Sequence, residues 1–366
     1  MIKLHTGDRQ AFFDVPFNVY AREDGYVSPL RSDIFRMLDE SKNPLLLDNN
    51  PYAFWTAHVD GKAKGRIISL VYKKSNARHG TNRAQFGFFD CANDPEIAGT
   101  LLNAAEIFAR DQGCDELVGN FNLTAMQQAG VMTDGFGARA YTDMIANPRH
   151  IPELLTAHGY EAWFPMTTFE VDLDTAVPPR ADFDDLTRRG YHFAPVDKSE
   201  FQQRFEDARI VLNDGFDENP MFVPLTPEEF QFQAGEMMSI LDPRLSSILM
   251  HDDRPVGTVI CIPDLNGFLT ATRSRFRLMT PIHFLRYRLN RRRAVIIFYS
   301  VAKDHHGQGL MGAMLNRTIA ALRQAKYEQL GITWIADENP ASLRQMEKIG
   351  ARPLQNLHLF RKSIPQ

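Results

Sequence analysis

Along the chain, hydrophobic positions switch between strict alternation and helical spacing, and each switch marks an element. Tyr52 to Val59 (YAFWTAHV) reads as a strand, and Asp60-Gly61-Lys62 turns it back into Gly65 to Val71, a hairpin. Gln85 to Cys91 is another strand. Pro95 then opens a helix in which Ile97, Leu101, Ala104, Ala105 and Phe108 recur at helical spacing. Glu116 to Phe121 is the next strand, a helix ends over Leu154 to Gly159, and Trp163 to Leu173 alternates as strands. Upstream, Asp14 to Asp39 reads as helical pieces, followed by turn signals at Asn43-Pro44 and Asn49-Asn50-Pro51.

Asp174 to Asp185 (DTAVPPRADFDD) is proline-rich, polar and aperiodic, and reads as a linker. The same plan then starts again. Phe201 to Phe216 is helical, and Thr226-Pro227-Glu228-Glu229 caps a helix expected to reach Ile240. Leu245 to Met250, Val256 to Pro263 and Ala294 to Tyr299 are strands, and a long helical pattern runs to about Tyr327. Gly331 to Asn339 is a strand, Pro340 opens a helix that stops at Gly350, and Ala351 to Lys362 alternates as a closing strand pair.

The two passes can be laid against each other. Asp60 to Ile67 matches Asp252 to Val259, Leu102-Asn103 matches Leu315-Asn316, and Gly159 and Gly350 each stand ten residues before a Phe, at 169 and 360. The expectation is two copies of one α/β unit, residues 1–174 and 186–366, joined by a linker at 175–185. Asn120 to Asn147 is extra in the first copy and Phe268 to Arg293 in the second.

Between the strand ending at Tyr299 and the long helix lies Ser300-Val301-Ala302-Lys303-Asp304-His305-His306-Gly307-Gln308-Gly309-Leu310-Met311. Strand, glycine turn, helix is how a chain builds an anion site: the glycines admit close backbone approach, and the first-turn N–H groups point at the ligand. A Walker lysine is missing, since Leu310 follows Gly309, and a dinucleotide fingerprint would lie near the start of a domain. The first copy has Ala92-Asn93-Asp94-Pro95-Glu96-Ile97 at the same place, where two acids repel an anion.

The run Ser-Val-x-x-Asp-His-His-Gly-Gln-Gly-Leu resembles the coenzyme A loop of the GNAT superfamily of N-acetyltransferases. Lys303, His306 and Met311 stand where that pattern has proline, Arg or Gln, and a small residue; Met346 stands where many members carry a general-acid Tyr. With Trp55-Thr56-Ala57, Gly87-Phe88-Phe89-Asp90, Gly119-Asn120-Phe121-Asn122, Gly130 to Phe136 and Trp334 to Asn339, nearly the whole chain is similar to bacterial tandem-GNAT proteins of about this length.

The resemblance implies an α/β fold of tandem GNAT-like domains with mixed central sheets flanked by helices, and acyl-CoA as co-substrate in the second copy only. It places the coenzyme on Val301, His306, Gly307, Gln308, Gly309, Leu310 and Met311, with Asn339 at the coenzyme arm or capping the next helix. It implies that the strands around Ile296–Ala302 and Ile332–Asn339 diverge to admit the pantetheine, and that the Val301 N–H polarises the thioester carbonyl. Glu338 is the candidate base for the amine, and Tyr299, His358 or water would protonate the leaving thiolate. The implied reaction is acyl transfer from acyl-CoA, or an acyl carrier, to an amine. A non-catalytic binding or scaffolding protein of the same fold is the rival reading, and an acetyltransferase for a small soluble amine is a third.

Composition narrows the partners. The formal charge of −4 gives no general pull toward nucleic acid. Cys91, Cys114 and Cys261 lack metal-ligand spacing, and His305-His306 alone is too little for a metal, so no metal is expected. The start has no signal-peptide core, and no apolar run is long enough to span a membrane; a cytoplasmic protein is expected. One stretch departs from this: Leu265 to Ala302 holds no Asp or Glu but has arginines at 273, 275, 277, 286, 288, 291, 292 and 293. Leu278, Ile282, Leu285 and Leu289 share a helical face there. Peripheral contact with an anionic membrane through 273–293, a phosphate clamp, a nucleic-acid patch and an ordinary packed helix all stay open, with aromatic interleaving too sparse for nucleic acid. The absence of acids argues against a small polar amine and toward a long-chain acyl donor or a lipid-like amine such as a sphingoid base.

Overall fold

The computed structural model describes residues 1–21, 25–195, 200–235 and 242–365. From the N-terminus run β1 (Lys3–Thr6), α1 (Arg9–Val19), α2 (Arg31–Met37), α3 (Pro44–Leu47), β2 (Tyr52–Val59), β3 (Lys62–Leu70), α4 (Lys73–His79), β4 (Arg83–Cys91), α5 (Pro95–Asp111), β5 (Glu116–Gly119), β6 (Val131–Asp134), α6 (His150–Ala157) and β7 (Glu161–Asp172). The second pass is α7 (Phe183–Arg188), β8 (Tyr191–Ala194), α8 (Phe201–Gly215), α9 (Pro227–Ala234), β9 (Ser247–His251), β10 (Arg254–Pro263), α10 (Asn266–Thr272), α11 (Thr280–Asn290), β11 (Arg293–Val301), α12 (Leu310–Gln324), β12 (Gln329–Ala336), α13 (Pro340–Ile349) and β13 (Arg352–Ser363).

Local chemistry explains most boundaries. Asp60 and Gly61 both have positive φ, as a two-residue hairpin turn between β2 and β3 requires. Thr226 and Glu229 close a capping box on α9. Part of the stretch expected to carry that helix to Ile240 lies outside the described residues. Gly350, at φ +75°, ends α13. The closing strand pairs are instead single long strands, β7 and β13.

The chain forms two compact units. One comprises Met1–Met166, Asn266–Leu285 and Gln355–Gln366; the other comprises Thr167–Leu265 and Arg286–Leu354. In the first unit β1, β2, β3 and β4 are antiparallel neighbours, β5 joins β4 in parallel, and β13 pairs antiparallel with β5 and β6. In the second, β8, β9, β10 and β11 are antiparallel neighbours, β12 joins β11 in parallel, and β7 lies beside β12. The two orders are the same.

The likeness extends to single contacts. Gly65 pairs with Cys91 in one unit and Gly257 with Val301 in the other. A Cβ on Gly65 would come within 2.6 Å of Leu101 Cδ1, and one on Gly257 within 2.6 Å of Met314 Sδ. Each glycine thus lets the following long helix, α5 or α12, settle on its sheet. Ile67, Phe86, Leu101, Leu117 and Phe360 share one core; Val259, Ile296, Met314, Ile319 and Ile332 share the other. All three cysteines are buried and free.

Phe268 to Arg293 forms two helices and the start of a strand. The apolar face shared by Ile282, Leu285 and Leu289 is exposed rather than packed.

Candidate active site

The second unit's site begins where two strands part. β11 and β12 run in parallel register from Arg293↔Gln329 to Ile296↔Ile332, and Thr333 Oγ1 donates to the Ile297 carbonyl at 2.9 Å. Their register ends at Ile332, although β11 stays paired with β10 as far as Val301↔Gly257. Ala302 N–H donates to the Val256 carbonyl at 2.8 Å, which makes Gly257–Val301 a non-hydrogen-bonded pair. The N–H of Val301 therefore points away from β10, toward the gap, and so does that of Tyr299 two residues earlier.

The chain then passes through a 3₁₀ turn, Lys303–His305, into Gly307 and Gly309, at φ +75° and +80°. Gly309 is the N-cap of α12 and offers no side-chain acceptor, so the first-turn N–H groups stay available to an anion. Nothing lies within 4 Å of where a Cβ on either glycine would sit. This loop fits a diphosphate, with backbone amides as donors and open space beside them.

Side chains hold the loop in place. Lys303 N–H donates to Asp214 at 2.7 Å, Lys303 Nζ pairs with Asp217 at 2.6 Å, and Arg254 pairs with Asp304 at 2.6 Å. His306 Nε2 lies 2.9 Å from the Val301 carbonyl, folding that ring back on the strand. Gln308 Oε1 accepts from Arg189 at 2.6 Å and from Tyr191 Oη at 2.9 Å. Tyr191 has one hydroxyl proton, so His305 Nδ1, 2.8 Å away, is assigned as its donor. Burial holds the protonated form of His305 down, with Asp304 opposing. Arg189 places a cation beside the loop. Its only sequence signal is a Thr-Arg-Arg-Gly turn before β8, indistinguishable from a solvated helix end.

The remaining candidates lie as follows. Tyr299 donates to the Met311 carbonyl, and burial pushes its phenol well above the usual range. β12 stops at Ala336 rather than reaching Asn339 as expected, so Asp337 and Glu338 lie exposed in the following turn. Asn339 Oδ1 accepts the Ser342 N–H at 3.0 Å and caps α13. Leu310 is buried in the core. Met346 is buried on α13, and His358 belongs to the first unit, 2.8 Å from Thr133 Oγ1. Among the described residues no cluster of three or more His, Cys, Asp or Glu could hold a metal.

The first unit has the same parting, after Phe86↔Gly119, but fills it. Asn120 Oδ1 accepts the Phe89 N–H at 3.2 Å and Asn122 Oδ1 the Phe88 N–H at 2.8 Å. Asp94 caps α5 by accepting from Glu96 and Ile97, so a carboxylate already sits where a phosphate would. Arg66, almost wholly buried, bonds Asp90 at 2.8 Å through Nε and Tyr26 at 2.8 Å.

Residues 215–351 match the model of the Acetyltransferase (GNAT) family. Over 99% of its length the chain is 25% identical to protein YghO of Escherichia coli (strain K12), covering 94% of that protein. It is 22% identical over 96% of its length to the bacterial ceramide synthase of Caulobacter vibrioides (strain NA1000 / CB15N), again covering 94% of that protein. A tandem GNAT protein from the clavulanic acid biosynthesis pathway superposes with a TM-score of 0.61 at 13% identity, covering 100% of this chain and 99% of that one.

Proposed function

From a chain that carries a GNAT acetyltransferase domain at residues 215–351 and has the fold of tandem GNAT proteins, we propose an N-acyltransferase that uses acyl-CoA in its second unit. One observation carries the reading: β11 and β12 part where the Val301 N–H turns into the gap, next to the uncapped start of α12. The amides of Gly307–Met311 hold the diphosphate. The Val301 N–H receives the negative charge that develops on the thioester oxygen. The amine forms the new C–N bond, the C–S bond breaks, and the ammonium proton passes to Glu338 directly or through water. The thiolate takes a proton from water or from Tyr299, whose hydroxyl rests on the Met311 carbonyl.

The acceptor we propose is a long-chain amine of the sphingoid type, acylated from a long-chain acyl-CoA. Likeness along nearly the whole chain to a protein named bacterial ceramide synthase supports it, as does the lack of Asp and Glu from Leu265 to Ala302. The three buried free cysteines suit a reducing cytoplasm. The test is thiol release from acetyl-CoA and from palmitoyl-CoA, each with a sphingoid base or a small polyamine. Turnover only with the long-chain pair is expected. Turnover only with acetyl-CoA and the polyamine would replace the acceptor class. No turnover, together with no coenzyme binding by calorimetry, would leave the non-catalytic reading.

A further inference from the structure

The helix α11 is built inside out. Its packed side carries Phe284, edge-on to Phe268 with ring centroids 5.5 Å apart, and Tyr287, whose phenol burial pushes up. At about 100° per residue, Ile282, Leu285 and Leu289 fall within ~60° of one another on the opposite side. There they are exposed, Leu289 at 76%. The turn before the helix adds Phe276, Leu278 and Met279, with Leu278 at 94%. Six of the thirteen large hydrophobics exposed among the described residues thus lie between 276 and 289, while the others are scattered through the chain. By contrast α12 buries its apolar stripe, including Leu310, Met314 and Ile319.

Charge says what covers this ridge. Five of the eight arginines have partners within the fold: Arg273 lies over the Phe17 ring, Arg275 pairs with Asp14, Arg291 with Asp242, Arg292 with Glu328 and Arg293 with Asp264. Arg277, Arg286 and Arg288 are exposed, and no carboxylate among the described residues pairs with them. Arg286 and Arg288 lie on the two flanks of the apolar ridge, about 40° and about 60° from its nearest members. Leu265 to Lys303 holds no acid.

We infer that residues 276–289 dock the protein on a bilayer bearing anionic lipid. Ile282, Leu285 and Leu289 enter the acyl boundary, and Arg277, Arg286 and Arg288 meet the headgroup phosphates. A second copy of the chain fits less well. A two-fold contact would set these arginines against their own copies, with no acid in the stretch to offset them. The docking needs no coenzyme, so it stands or falls apart from the acyl-transfer reading.

The test is cosedimentation of the full chain, without acyl-CoA, with vesicles of phosphatidylcholine alone or mixed with phosphatidylglycerol. Binding to the anionic vesicles at low salt, weakened by added salt, is expected. Arg286→Gln with Arg288→Gln should weaken it about thirtyfold. Ile282→Ser, Leu285→Ser and Leu289→Ser together should weaken it at least about tenfold. All five positions are exposed, so circular dichroism of both variants should match the parent. No binding to anionic vesicles at low salt, or variants that bind like the parent, overturns the inference. So does a dimer, seen by light scattering, that the serine variant abolishes while vesicles stay unbound.

Discussion

Replacing Gly309 by Glu separates a coenzyme site from a turn that only packs. Gly309 sits at φ +80°, with nothing within 4 Å of where a Cβ would be added. The cost of any side chain there is therefore backbone strain, on the order of 1–2 kcal/mol, without a clash. Gly309→Gln carries that strain alone and should weaken coenzyme A by up to about thirtyfold. In the proposed site Gly309→Glu would add a negative charge beside the diphosphate, and a separation of about 5 Å sets the scale of the repulsion. The loop is exposed, so an effective dielectric of about 40–80 applies, and each phosphate charge is then repelled by ~1–2 kcal/mol. For about two such charges the Glu variant should bind roughly 15- to 250-fold more weakly than the Gln variant. Titration calorimetry with coenzyme A reads this directly, and raising the salt should narrow the gap between the two variants. Equal affinity of the Glu and Gln variants would refute an anion site at Gly307–Met311, whatever the effect of strain.

Glu338→Gln should lower kcat by ~10²–10⁴-fold with coenzyme affinity unchanged, and full kcat at neutral pH would remove Glu338 from the mechanism. Arg66→Met leaves Asp90 buried without its cation and should cost about 3–5 kcal/mol of stability, read as a fall in Tm. Asp143 is half-buried at φ +70°, and burial lifts its carboxyl to about 8. The folded chain then holds a proton that the unfolded chain releases, so stability falls as pH rises from the usual carboxylate range toward 8. Asp143→Asn, which tolerates that backbone, should raise Tm more at pH 9 than at pH 5, and an equal gain at both would remove the carboxyl as the cause.

Much of this protein was legible in the order of its residues because the deciding interactions are local. Alternation marked the strands, Asp60-Gly61 the hairpin, and Gly350 the end of α13. The likeness of Gly65 to Gly257 was readable because both helices need the same missing Cβ. The glycines before α12 and the acids before α5 already separated a helix start with uncapped amides from one capped by its own carboxylate. Other features needed partners far apart in the chain. The direction of the Val301 N–H depends on which pair it forms with β10, and the filling of the first gap depends on Asn120 and Asn122 reaching Phe89 and Phe88. Helical spacing located the apolar side of α11 but could not say which side faces the protein, because a period carries no direction. Packing through Phe284 and Tyr287 decided that, and left Ile282, Leu285 and Leu289 in solvent.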